Sequence, residues 1–197
     1  MKNSFLFAAV AAALALASVA QGAEPKVKVL AAAEDPTQKT VLVGRALVNN
    51  MIVMFEIEPA KAMWMQMGSP AKWTEHAPKP NERFHVEVKP SDPASKTRIS
   101  YANVKFDATN KDNGKKVKAD LHPMWGGSGL HYSANSALAG DGTYAARITV
   151  GVPAFARDSK NKDLWSKPTA ATFHFKLAAG KLVEVSEPAE EPPAPQK

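Results

Sequence analysis

The chain has 197 residues, with 25 Lys and Arg against 19 Asp and Glu, a formal charge of +6 and no cysteine. The missing cysteine excludes disulfides, thiolate metal sites, a thiol nucleophile, the acylated cysteine of a lipoprotein and the cysteine-ligated blue-copper centre. The basic excess is mild and spread without a block of like charge, which argues against nucleic acid as a partner.

In chain order, Met1-Lys2-Asn3 precedes an apolar run from Phe5 to Ala17 that closes on Ser18-Val19-Ala20. A charged start, an apolar middle and a small-residue end are those of a secretory signal, so residues 1–20 are expected to be removed on export. No second apolar stretch approaches the roughly 20 residues that cross a bilayer. The expected product is exported and soluble, with one domain at 40–178. Residues 21–39 read as an N-terminal extension, and 179–197 as a strand end followed by a flexible tail. That tail, Ser186 to Lys197, is rich in proline and glutamate and has too little apolar surface to order itself.

Between these ends the chain breaks into short alternating segments separated by turn residues, with no sustained helical stripe. Expected strands are Val41 to Val48, Ile52 to Ile57, Arg83 to Lys89, Ile99 to Ala108, Lys116 to Leu121, Tyr144 to Val150 and Ala170 to Leu177. This is an all-β pattern, and its strand number suggests a sandwich of about seven to nine strands. Asn110-Lys111-Asp112-Asn113-Gly114 has hairpin-turn chemistry. Asp141-Gly142-Thr143-Tyr144 has the pattern of a tyrosine corner or of an ordinary turn before an aromatic strand residue.

Met63-Trp64-Met65-Gln66-Met67 puts its three methionines on one face if extended, either to fill core beside Trp64 or to add a thioether to copper. In Phe84-His85-Val86-Glu87-Val88-Lys89 the alternation puts His85 and Glu87 on one face. They read as a ligand pair or as an imidazole and its orienting carboxylate, against a background in which such alternation is a solvated face. The most informative stretch runs from Asp120 to Asn135. It sets His122, Met124 and His131 around Gly126, Gly127 and Gly129, which permit a tight turn. Two imidazoles and a thioether suit a soft or borderline metal, so this loop is expected to centre a copper or iron site. His76 and His174 read as surface residues. No Gly-x-Ser-x-Gly elbow, His-Glu-x-x-His helix or phosphate-cradling loop is present, so an enzyme is not expected.

Several of these motifs together resemble a known family. They are Phe55-Glu56-Ile57-Glu58-Pro59 followed by Met67-Gly68, His85-Val86-Glu87, Asp112-Asn113-Gly114, and above all Pro123-Met124 with Leu130-His131-Tyr132-Ser133-Ala134-Asn135. From about Val53 to Leu177 the chain resembles the Fe2+ transport proteins, periplasmic accessories of bacterial high-affinity iron uptake that include a treponemal membrane antigen. The resemblance implies an immunoglobulin-like sandwich, a homodimer, copper binding with a link to iron or manganese, and work beside an inner-membrane iron permease. It also implies that His85, Met124 and His131 are metal ligands, with Glu87 a ligand or tuning group.

The chain departs from the family at three places. His122 stands where a methionine is usual, which makes it a candidate substitute ligand. Phe155-Ala156-Arg157-Asp158 lacks the histidine usual in that loop. Lys89-Pro90 replaces an acidic continuation of the strand. The expected function is therefore periplasmic metal binding that assists iron uptake. The competing expectation is an interaction domain that kept the sandwich, lost the metal and contacts a membrane partner.

Overall fold

Branched and aromatic residues alternating with polar ones favour extended backbone that buries one face. The computed structural model describes residues 26–188, so the expected signal at 1–20 and the tail beyond Pro188 lie outside the described residues. Twelve strands form: β1 (Val27–Glu34), β2 (Val41–Val48), β3 (Met51–Pro59), β4 (Met63–Met67), β5 (Lys72–His76), β6 (Phe84–Ser91), β7 (Val104–Asn110), β8 (Lys116–Gly126), β9 (Gly129–Ser136), β10 (Gly142–Val150), β11 (Thr169–Ala178) and β12 (Lys181–Ser186). There is no helix among the described residues, and hence none long and apolar enough to cross a membrane.

Ten strands make one antiparallel sheet in the order β1-β12-β11-β10-β7-β8-β9-β6-β3-β2, while β4 and β5 pair only with each other. The large sheet bends at β8. Its first half pairs with β7 as far as Leu121, and from His122 onward it pairs with β9. The sheet thereby folds back until β2 lies against β11 and β12 and is nearly closed. Gly44 on β2 marks that closure. A Cβ there would stand 2.6 Å from the Phe173 ring and 2.9 Å from Ser186, so only glycine lets the strands approach this closely.

Inward residues of both halves share one core. Phe55 on β3 has its ring centroid 5.7 Å from those of both Phe106 on β7 and Phe173 on β11. Val53, Ile57, Val86, Val88, Ile148 and Phe175 complete the surroundings, all essentially without solvent contact. Burying each such side chain contributes about 1.5–3 kcal/mol. At the corner before β10, the Tyr144 hydroxyl donates to the Gly140 carbonyl and accepts from the Ala139 N–H, the bond-back geometry of a tyrosine corner.

The all-β expectation agrees with this structure, but the strand number is higher than seven to nine. The expected strand at Ile99 begins only at Val104, because Tyr101 sits at φ 55° and the Ile99 carbonyl accepts from the Tyr132 hydroxyl instead of a neighbouring strand. Residues 27–34 of the expected extension form β1 against β12, and β12 itself lies in the span read as a strand end. The glycine-rich stretch is less a loop than a hairpin, with Gly126 paired to Gly129 and only Gly127 and Ser128 turning between β8 and β9.

Candidate metal centre

β6 lies between β3 and β9, and its alternation has an unusual outcome. Phe84, Val86 and Val88 face the core, yet His85, Glu87 and Lys89 on the opposite face are also buried. The solvated-face reading of this strand therefore fails. Register explains the company they keep: Glu58 on β3 stands opposite His85 and Glu56 opposite Glu87, while on the other side Asn135 and Ser133 of β9 oppose the same two residues. His131 of β9 in turn opposes Met124 of β8. One polar row thus crosses four strands.

Donor atoms of His85, Glu87 and His131 all lie within 4.8 Å of one another, and the three residues are 0%, 2% and 1% exposed. Each imidazole is held by its Nδ1. His85 Nδ1 donates to Asn135 Oδ1 at 2.9 Å, and His131 Nδ1 donates to the Gly129 carbonyl at 2.9 Å. A nitrogen that donates carries the hydrogen, so in the neutral ring each Nε2 presents its lone pair. Neither buried Nε2 has a hydrogen-bond partner. Glu87 Oε2 is 3.5 Å from His131 Nε2, and Glu58 Oε1 is 3.9 Å from His85 Nε2. Gly126 packs on the second ring: a Cβ there would lie 3.1 Å from His131 Cε1.

Electrostatics prepare the site for a cation. Burial holds the His85 imidazole down at about 4, so it is neutral at physiological pH. Burial pushes Glu87 upward, but hydrogen bonds from Glu58, Lys89 and Ser128 outweigh it and hold the carboxyl at about 2. Burial and the neighbouring Glu87 raise Glu58. Glu87 Oε1 accepts from Ser128 Oγ at 2.8 Å and from Lys89 Nζ at 2.7 Å; Lys89 also pairs with Glu56, and Lys61 with Glu58. The carboxyls of Glu56, Glu58 and Glu87 and the ammonium groups of Lys61 and Lys89 thus surround the two imidazoles. Buried imidazole nitrogens without partners beside the Glu87 carboxylate are the arrangement a bound cation would complete.

The other sequence-derived candidates sit at the rim. Met124 is half-buried and its Sδ accepts from Ser133 Oγ at 3.5 Å, so its thioether lies on the site's face of β8, across from His131. His122 is exposed, opposite Ser133, and does not join the three-residue cluster. In the loop at 155–158, Arg157 donates to the carbonyls of Pro153 and Trp165 at 3.2 and 3.4 Å, tying the loop to itself.

Glu56, Glu58, Lys61 and Asn135 were not singled out from sequence as site residues. The signal for the two glutamates was there: Glu56 and Glu58 alternate with Phe55 and Ile57, which fixes their face but not that another strand buries it.

A family profile described as Fe2+ transport protein matches residues 54–179. No curated protein matches the chain. Among solved structures, FetP from uropathogenic Escherichia coli, expressed in the periplasm, superimposes with a TM-score of 0.56 at 19% identity, covering 71% of this chain and 97% of that one. A copper-bound variant of FetP gives 0.55 at 19% identity, covering 72% and 94%. The copper-reconstituted P19 protein from Campylobacter jejuni gives 0.56 at 19% identity, covering 72% and 98%. At such identities these likenesses establish the shared fold, and the profile match over most of the chain establishes the kinship: the chain belongs to the Fe2+ transport protein family.

Proposed function

We propose that this protein is a periplasmic copper-binding accessory of iron uptake, with His85 Nε2, His131 Nε2 and the Glu87 carboxylate as ligands and Met124 as a thioether donor. The observation that carries the reading is the pair of buried imidazole nitrogens, each oriented through its Nδ1 and neither bonded, within 4.8 Å of a carboxylate oxygen. Copper-bound FetP and P19 share the fold and support copper as the metal. Neutral imidazoles and a thioether favour Cu(I), whereas a carboxylate favours Cu(II) or iron, so this donor set tolerates both oxidation states. Its action is exchange of a metal rather than turnover of a substrate. The family's role in iron transport supports a partner in an iron-uptake system, which we place at an inner-membrane iron permease, with the protein acting as a homodimer. The Tyr144 corner and the fold-back at β8 support an immunoglobulin-like sandwich as its architecture.

The second reading is a metal-free interaction domain, and Arg157 in place of a loop histidine favours it. Copper titration of the mature protein, purified metal-free, against His131→Ala separates the two, with metal content read by mass spectrometry. Stoichiometric binding lost in the variant supports the metal reading. Absence of specific binding by the unmutated protein supports the interaction reading. Met124→Leu should weaken Cu(I) more than Cu(II), and an equal loss of both would remove Met124 from the ligand set.

A further inference from the structure

The hairpin formed by β4 and β5 is the one strand pair of the described residues outside the large sheet. Its register, Met63 opposite His76, Met65 opposite Thr74 and Met67 opposite Lys72, puts three thioethers and an imidazole on one face. Trp64, Gln66, Trp73 and Glu75 take the other. The methionines do not fill core. Met63 and Met65 are half-buried, and Met67 is 49% exposed. The Met67 sulfur already lies 2.9 Å from His76 Nε2. Donors bound to one ion at about 2.0 Å for nitrogen and 2.3 Å for sulfur stand roughly 3 to 3.5 Å apart, so a small opening of these side chains admits an ion between them.

We infer that this face is a second metal site, for a soft monovalent ion of the Cu(I) class, built from His76 and Met67 with Met63 or Met65 as further thioether donors. Thioethers are neutral, polarizable ligands that select Cu(I) over divalent ions. The Lys72 ammonium opposite Met67 reinforces that choice, since it repels a divalent cation more strongly than a monovalent one.

Position gives the site a use. The hairpin is the connection between β3 and β6, the strands that carry Glu58 and His85. Its base is tied to the buried site by one side chain. Asn135, which orients His85, also accepts from the Lys61 N–H at 3.3 Å and donates to the Lys61 carbonyl at 2.8 Å. A half-exposed thioether face on this arm suits it to receive or hand on the ion that the buried site holds.

The test is anaerobic Cu(I) titration of the mature protein against bathocuproine disulfonate, together with Cu(II) titration. Unmutated protein should take about two equivalents of Cu(I) and Met65→Leu/Met67→Leu/His76→Ala about one, with Cu(II) binding unchanged. A variant that binds as much Cu(I) as tightly as the unmutated protein would overturn the proposal. In the reverse experiment, His85→Ala/His131→Ala should keep about one equivalent, with sulfur scatterers in its X-ray absorption spectrum. Loss of all Cu(I) from a folded double variant would equally overturn it. Because the hairpin variant leaves the buried residues intact, its result stands whether or not copper binds at His85 and His131. Leucine keeps the methionine volume, and an unchanged circular dichroism spectrum verifies the fold.

Discussion

Lys89 sets the charge of the buried site. Its ammonium lies between Glu56 and Glu87, and although burial alone would lower its pKa, the two carboxylates raise it, so it stays charged. Replacing it with methionine would leave both carboxylates, Glu87 buried and Glu56 half-buried, without their shared counter-charge. Lys89→Met should therefore cost about 3–5 kcal/mol in urea unfolding of the metal-free protein, the penalty for stranding buried charge. A change within experimental scatter would mean that water reaches these carboxylates.

His85 supplies a second prediction at this scale. Its folded value of about 4 lies below the ordinary 6.5, so between those limits the unfolded chain binds the additional proton. Stability of the metal-free protein should consequently fall by about 3 kcal/mol as pH drops through that window, with no further loss from His85 below it. The charged and titratable groups facing the ring are Glu58 from β3, Glu87 on its own strand, Lys61 at the hairpin base and His131 from β9. His85→Gln should flatten the profile over that range, and an unchanged slope in this variant would assign the dependence to another group.

At the scale of elements, the sequence exposed those strands whose alternation uses branched and aromatic residues. β2, from Val41 to Val48, has the expected bounds, and β3, β6, β10 and β11 lie within two residues or so of theirs. β9 escaped because Gly129-Leu130-His131-Tyr132-Ser133-Ala134-Asn135-Ser136 alternates correctly but with glycine, serine, alanine and asparagine, which have little strand preference of their own. Tertiary pairing on both edges, with β8 and β6, decides it. β1 escaped for a different reason: most of its residues are exposed, so there is little inward pattern to see.

His85 and Glu87 were legible as a pair because one strand carries both. The contribution of Glu58 was not, since it depends on the pairing of β3 with β6, which single-strand alternation does not encode. The same scale gives a test of the closure. Gly44→Ala puts a methyl into the 2.6 Å space before Phe173 and should cost about 1–3 kcal/mol, read as a lowered unfolding midpoint. A neutral substitution would show that β2 can move away from β11.

For the whole molecule, the fold explains how charged chemistry comes to lie inside a small β protein. One sheet folds at β8 and buries its inner face in a core centred on Phe55, while the opposite face of β6 is covered closely enough to bury a histidine, a glutamate and a lysine. The rigid strands fix the imidazoles from both sides, which is how a site is held in a binding geometry before the ion arrives. The chain's family is that of the Fe2+ transport proteins, and copper is the metal of the proposed reading.

The most direct measurement is a crystal structure of the copper-loaded mature protein with anomalous data at the copper edge. The account predicts a peak bonded to His85 Nε2 and His131 Nε2 beside the Glu87 carboxylate, with both Nδ1 hydrogen bonds retained. Fully loaded crystals with no anomalous density between the two imidazoles would contradict it.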